Sequence, residues 1–172
     1  MLANVTTKGR VFMTRLNQTG LWAGVGLLAL LASLIVIQVV ARNFFDKGLP
    51  WADELARFCS FSLVFLCVPL LALRRSMVSV TLLQEMVGER VKRLLHLLSE
   101  LALLAFAGFM LWGFAAYLPR AGKFLTPAMG MPNWWFYSLA LVGTIMLALT
   151  VILLIVETLS GTAPMPPEET EL

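Results

Sequence analysis

The sequence PWADELARFCSFSLVFLCVPLLAL, residues 50–73, joins a helix start to a long apolar run. Pro50 suits the first position of a helix, where its missing N–H group has no intrahelical partner to lose. Residues 58–73 then carry no charged side chain. Together with the turns that precede them, they are long enough to cross a bilayer core of about 30 Å as a helix. The segment therefore predicts a membrane-spanning helix.

Three further charge-free runs lie on either side of this segment. They cover residues 16–41, 101–119 and 124–156. In the last of them, the helix is predicted to start after Pro132. The sequence thus predicts an all-α integral membrane protein with four transmembrane helices in a single domain, residues 1–160. The remaining residues, 161–172, are rich in Pro and Glu and are predicted to form a disordered cytoplasmic tail.

The composition agrees with a membrane protein and excludes several other classes. Hydrophobic residues make up 59% of the 172 residues and charged residues only 13%, whereas soluble domains are about 25% charged. The net charge is only +3, and the basic residues lie between apolar runs, which is unlike a nucleic-acid-binding face. The chain is therefore not expected to bind nucleic acid.

The basic N-terminal residues also resemble the start of a secretory signal peptide. The apolar run that follows, residues 16–41, is however much longer than the roughly 7–15 residues of a signal-peptide core. This length favours a first membrane span over a cleaved signal.

Lysine and arginine residues predict the orientation in the membrane. One side carries eight of them: Lys8, Arg10, Arg15, Arg74, Arg75, Arg90, Lys92 and Arg93. The other side carries five: Arg42, Lys47, Arg57, Arg120 and Lys123. Because basic loops stay in the cytoplasm, both termini are predicted to be cytoplasmic.

The connection between the second and third spans has a helical pattern of apolar residues. Val80, Leu83 and Val87 recur at steps of three and four, and polar residues occupy much of the rest. This pattern predicts a cytoplasmic amphipathic helix in the membrane interface over residues 80–87. Gly88 is expected to end it, and a second helix is expected to start near Glu89. The alternative is a solvated loop helix.

Three charged residues enter the start of the second span. Asp53 and Glu54 fall in the first helical turn, where the helix dipole favours negative charge. Arg57 can pair with either of them at helical spacing. A local ion pair explains most of this pattern, but charges at a membrane boundary usually need partners within protein. Arg42, at the end of the first span, is one candidate partner, and a second subunit is another.

The remaining reactive residues give no sign of catalysis, of a bound cofactor or of a metal site. His96 is the one histidine, so a bis-histidine haem site within this chain is excluded. Cys59 and Cys67 are separated by about 12 Å along one helix, too far for a disulfide, and are interpreted as packing residues. Gly20 and Gly24 form a GxxxG match, which either packs against another helix or arises by chance.

The order of these features resembles the small membrane subunit of tripartite ATP-independent periplasmic (TRAP) transporters, the DctQ-like family. The resemblance covers roughly residues 21–159. It rests on Arg42-Asn43-Phe44, on Pro50-Trp51-Ala52-Asp53-Glu54-Leu55-Ala56-Arg57, on Arg74-Arg75, and on residues 125–137, LTPAMGMPNWWFY.

This resemblance implies a non-catalytic scaffold role in the inner, or cytoplasmic, membrane of a bacterium or archaeon. The expected partners are a large many-span permease subunit, a periplasmic substrate-binding protein and membrane lipid. The large subunit is expected to move its transport domain like an elevator and to couple uptake of an organic acid, such as a C4-dicarboxylate, to sodium. The alternatives are a stand-alone small transporter or channel, and an assembly protein of another membrane complex.

On this interpretation, one set of residues forms a structural network or contacts the large subunit. The set comprises Arg42, Asn43, Trp51, Asp53, Glu54, Arg57, Trp134, Trp135 and Tyr137. Its aromatic members are also expected to anchor the spans at the membrane interface. Arg120 and Lys123 are either solvated topology charges or a docking site for the binding protein, because charges at a rim steer encounters.

Overall fold

The computed structural model describes residues 2–74 and 88–160, apart from the side chains of residues 2–8, 89, 90 and 92. Within them lie the helices α1 (Leu2–Phe45), α2 (Pro50–Leu73), α3 (Glu89–Ala121) and α4 (Trp134–Leu159). All four are long and apolar enough to cross a membrane, which confirms the predicted all-α fold with four spans. The predicted interfacial helix with Val80, Leu83 and Val87 lies outside the described residues, as does the tail from residue 161.

Some helices begin where the sequence predicts, and others extend beyond the predicted spans. Helix α2 begins at Pro50 and α3 begins at Glu89, directly after Gly88, as predicted. Helix α1 is longer than its charge-free run and includes the basic residues that precede it. The reason is that Lys and Arg are good helix formers, so a helix continues where an apolar run stops.

Helices α2 and α4 lie at the centre of the molecule. Helix α1 packs along α2 and also reaches α4, whereas α3 packs against α4. Among the described residues, no Cα atom of α3 lies within 8 Å of α1 or α2. The helices therefore form an open arrangement rather than a closed four-helix bundle, with α1 and α3 on the outside.

Small residues on α1 allow it to approach α2 closely. A Cβ atom added at Gly20 would lie 3.0 Å from the carbonyl oxygen of Leu66, and one at Gly24 would lie 2.7 Å from the sulfur of Cys67. The GxxxG match is therefore a genuine packing surface. Van der Waals contact at small residues is a main source of helix association in membranes.

Helix α4 approaches α2 still more closely at Gly143, where any Cβ atom would overlap the carbonyl group of Phe65. That carbonyl would normally accept the N–H group four residues later, but Pro69 stands at this position inside α2 and has no N–H group. The bare Cα of Gly143 thus packs where α2 lacks one internal hydrogen bond. This crossing fixes the centre of the fold.

The two ends of the molecule have different characters. The connections 46–49 and 122–133 lie at one end, which we call the loop end. The start of α1 and the end of α4 meet at the other, the terminal end, where Arg10 bonds to Glu157 at 2.8 Å. The start of α1 and the end of α4 thus share one side, while their cytoplasmic orientation stays a prediction from the charges.

Candidate functional site

The connection between α3 and α4 is a compact loop at the loop end. The N–H group of Thr126 donates to the carbonyl oxygen of Met131 at 2.8 Å, and the Gly130 N–H group donates back to Thr126 at 3.0 Å. Gly130 has φ of +63°, a left-handed conformation that glycine adopts without a steric penalty. This turn leaves the N–H groups of Ala128 and Met129 pointing away from the loop's own carbonyl groups.

Glu54 of α2 binds these two N–H groups. Its Oε1 atom accepts from Ala128 at 2.7 Å and its Oε2 atom accepts from Met129 at 2.9 Å. The side chain of Thr126 also hydrogen-bonds to this carboxylate. Charge-assisted hydrogen bonds are stronger than neutral ones, and successive backbone N–H groups form a natural anion-binding concavity. Glu54 thereby fastens the α3–α4 loop to the first turn of α2.

The two other charges of this helix start behave differently from Glu54. Asp53 accepts a hydrogen bond from Nε2 of Gln38 at 2.7 Å, so its partner on α1 is Gln38 rather than Arg42, which was one of the two candidates. Arg57 is exposed and is electrostatically attracted to Glu54. Arg57 forms no ion pair within 4 Å among the described residues, so the predicted local pair is absent there. The reason is that the loop N–H groups already bind the Glu54 carboxylate.

Aromatic side chains surround this end of the molecule. The rings of Trp134 and Trp135 stack with centroids 4.8 Å apart, and Tyr137 meets Tyr117 of α3 edge-on at 5.0 Å. Trp51, at the start of α2, is exposed. Tyr137 thus has a packing role between α3 and α4, while the three tryptophans keep exposed surface suited to a membrane interface.

A cleft of about 570 Å³ opens between α2 and α3, with α4 beneath it. It exists because α3 packs on α4 without approaching α2. Its mouth holds polar side chains at the loop end, and its depth is apolar. The lining residues are Pro50, Asp53, Glu54, Arg57, Phe61, Phe65, Met110, Phe114, Thr126, Pro127, Ala128, Asn133, Phe136, Tyr137 and Ala140.

Several predicted site residues lie outside this network. Arg42 and Asn43 are exposed at the end of α1. Arg120, near the end of α3, and Lys123, in the following loop, are also exposed. The structure therefore brings together Asp53, Glu54, Arg57 and Tyr137, all of which line the cleft. It leaves the other basic residues at the surface of the loop end.

The terminal end contains a second polar network, whose residues are not among the predicted site residues. Glu157, only 3% exposed, pairs with Arg10. The buried amide of Asn17 donates to Oγ1 of Thr150 at 3.1 Å and to the carbonyl oxygen of Pro69 at 3.4 Å. The available signal was that Arg10 and Glu157 have opposite charge and lie at the same predicted end of the first and fourth spans.

The described residues bring together no reactive group of the kind needed for catalysis. Among them, no three His, Cys, Asp or Glu side chains are close enough to hold a metal ion. Cys59 is buried and packs with Leu34 and Ala52 between α1 and α2, which fits its interpretation as a packing residue. The polar groups at both ends hold helices and loops together, so the arrangement is structural.

Comparison with known proteins agrees with this description. Residues 31–161 match the family model of the tripartite ATP-independent periplasmic transporters, DctQ component. The chain is also 20% identical over 118 residues to a Haemophilus influenzae protein that carries the provisional name of a TRAP transporter small permease protein. That alignment covers 69% of this chain and 72% of the relative.

Proposed function

Because the chain belongs to the DctQ family of small TRAP transporter subunits, we propose that it is the non-catalytic scaffold of such a transporter. Membership makes it a multi-pass inner-membrane transporter component and not an enzyme. The proposed partners are a large many-span permease subunit and a periplasmic substrate-binding protein. The large subunit carries the substrate and sodium sites and moves as an elevator, in the uptake of an organic acid.

One observation carries the scaffold proposal: the charged groups at the membrane ends are used to hold this chain together. Glu54 binds loop amides and Glu157 binds Arg10, so both carboxylates fix helices or loops. Carriers instead present ionisable groups to a pathway at membrane depth. The depth of the cleft, with Phe61, Phe65 and Met110, is apolar. The chain is thus suited to rigid support.

The outer helices offer the surface for the large subunit. Helix α1 exposes large apolar side chains such as Ile35 and Val39, and α3 exposes Phe109 and Trp112. Since these faces lie on membrane spans, lipid or another membrane protein must cover them. We propose that part of this surface binds the large subunit, with Glu54 holding the loop at the edge of the contact.

A co-purification experiment tests the partner. The complex is isolated through a tag on this chain, with Glu54→Gln as the variant and Asp46→Asn as the control. Asp46 is an exposed acid at the same end with a φ of 49°, a conformation that asparagine tolerates. Loss of one charge-assisted contact is expected to lower the yield of the large subunit about fivefold. An unchanged yield contradicts the role of Glu54.

A reconstitution experiment separates the scaffold from the alternatives. Liposomes contain this chain alone, the large subunit alone, or both, and uptake of an organic acid is measured with the binding protein and a sodium gradient. Uptake is expected only when both subunits are present. Transport by this chain alone supports the stand-alone carrier, and failure to bind any large permease supports an assembly protein of another complex.

Docking of the binding protein is tested with Arg120 and Lys123. The double change Arg120→Glu/Lys123→Glu is expected to slow binding-protein-dependent uptake while the complex still assembles, because exposed rim charges steer association. Lys47→Glu, in the other connection at the same end, is the control for a general change in surface charge. Equal uptake by the double variant and the unmodified complex contradicts the docking role.

A further inference from the structure

The cleft between α2 and α3 has the length of one membrane leaflet. Asp53 lies at its mouth and Phe65 near its inner end, and twelve residues of helix span about 18 Å. This is a little more than half of a bilayer core of about 30 Å. The cleft therefore runs from the membrane interface at the loop end to about the middle of the bilayer.

The cleft is charged at its mouth and apolar in its depth, just as a lipid has a charged headgroup and apolar acyl chains. Phe61, Phe65 and Met110 line its depth, and the charged side chains of Asp53 and Arg57 line its mouth. The exposed tryptophans Trp134 and Trp135 lie at the same end, where aromatic rings favour the headgroup region. A ligand that matches the cleft has an apolar chain and a charged head.

The two charges at the mouth have opposite sign and lie at helical spacing. Arg57 forms no ion pair in the part of the chain that the structure describes, and it follows Asp53 by four residues on the same helix. Side chains at this spacing have Cβ atoms about 6 Å apart. Glu54 is already bound by the loop amides. The mouth is thus complementary to a head that carries both a phosphate and an ammonium group.

We propose that this cleft binds one phosphatidylethanolamine molecule of the leaflet at the loop end. The phosphate binds Arg57, the ammonium group binds Asp53, and one acyl chain lies along Phe61, Phe65 and Met110.

Lipid titration of the purified, delipidated full-length chain tests the proposal. Native mass spectrometry measures binding of phosphatidylethanolamine, of phosphatidylglycerol, which lacks the ammonium group, and of phosphatidylcholine, whose ammonium has no N–H donor. One phosphatidylethanolamine per chain is expected, at about tenfold higher affinity than the other two. Equal binding of the three lipids overturns the proposal and indicates non-specific annular lipid.

Three variants locate the site. Arg57→Gln is expected to weaken phosphatidylethanolamine binding about tenfold, since it removes a charged hydrogen-bond donor. Met110→Trp fills the apolar depth of the cleft and changes no charge. It is also expected to weaken phosphatidylethanolamine binding about tenfold. Lys47→Gln, an exposed cation at the same end that does not line the cleft, is the control and is expected to bind normally.

Helical content and thermal unfolding are measured for each variant. If either Arg57→Gln or Met110→Trp fails to fold, the lipid affinity of the other variant tests the site. Normal lipid affinity in a folded Arg57→Gln or Met110→Trp chain overturns the site. Crosslinking of position 110 to the large subunit, with loss of the lipid from the assembled complex, also overturns it in favour of a protein occupant. Neither result depends on whether this chain is a scaffold, which the reconstitution experiment decides.

Discussion

Helices α3 and α4 are both long and apolar, but they are held in the fold to very different degrees. In the most apolar part of α4, 44% of the residues are buried within the chain, against 11% in α3. A Cβ atom at Gly143 of α4 would overlap α2, whereas one at Gly108 or Gly113 of α3 meets nothing within 4 Å. Glycine thus marks a helix crossing in α4 and no crossing in α3.

The difference shows that α4 and α3 have different structural roles. Helix α4 uses Gly143, Thr150 and Glu157 to bind α2 and α1, so it belongs to the interior of the molecule. Helix α3 packs on α4 and directs Phe109 and Trp112 outward. An outward apolar face on a membrane span is surface for lipid or for another subunit. The interior helix holds the fold, and the outer helix is available for contact.

The largest expected effect comes from Gly143→Leu. The new side chain overlaps the Phe65 carbonyl group and must separate α2 from α4, which we expect to lower the unfolding free energy by about 3 kcal/mol. Unfolding in mixed detergent micelles measures it. The matched control is Gly113→Leu, where an added Cβ atom meets nothing within 4 Å, and this change is expected to cause no loss of stability. Equal losses in both variants would contradict the comparison.

A smaller effect is expected at the terminal end of α4. Glu157→Gln removes the charge that Arg10 binds from a nearly fully buried position. Because Arg10 is 34% exposed and can turn to water, the expected loss is about 1.5 kcal/mol, below that of a fully buried pair. A double-mutant cycle with Arg10→Gln measures the coupling between the two side chains. Additive losses would show that the ion pair does not connect α1 to α4.

A weaker effect is expected for Thr150→Val. Valine keeps the shape of the side chain but cannot accept the hydrogen bond from Asn17, so a loss of about 1 kcal/mol in unfolding free energy is expected. Ser33→Ala is the control, because its hydroxyl group is exposed and bonds only within its own helix. If both changes had the same effect, the Asn17–Thr150 contact would not stabilise the packing of α1 on α4.

The smallest effect on the isolated chain is expected on the outer face of α3. Trp112 is 74% exposed, so Trp112→Leu should change the unfolding free energy by less than about 0.5 kcal/mol. Its effect on co-purification of the large subunit is measured in parallel. Loss of the partner with unchanged stability supports α3 as a contact surface, and a large loss of stability shows that α3 is part of the interior after all.

Much of the fold followed from the sequence because the bilayer imposes simple rules. A charge-free run of sufficient length must cross as a helix, since each backbone polar group needs a partner inside the membrane. The start of α2 at Pro50 and of α3 at Glu89 also followed from local signals. The same patterns selected Asp53, Glu54 and Arg57, which do lie together at the mouth of the cleft.

The partners of those residues could not be predicted, because they depend on contacts between distant segments. Glu54 binds Ala128 and Met129, which are more than seventy positions away, and loop N–H groups carry no signature in the sequence. Asp53 accepts a hydrogen bond from Gln38, whereas Arg42 was one of the two candidate partners. Gln38 and Arg42 lie on the same face of α1, one turn apart, so only the height at which α1 packs along α2 decides between them. The burial of Glu157 could not be predicted either, because a charged residue directly after an apolar run is usually exposed to solvent.

The sequence by itself determined that this chain has four membrane spans, where two of its helices begin and to which family it is similar. These properties depend on hydrophobic length and on residues close together in the chain. Only the tertiary structure decided that α4 is interior and α3 is exterior, and that a cleft opens between α2 and α3. The physical reason is that all four spans are similarly apolar, so their order depends on where small side chains permit close approach.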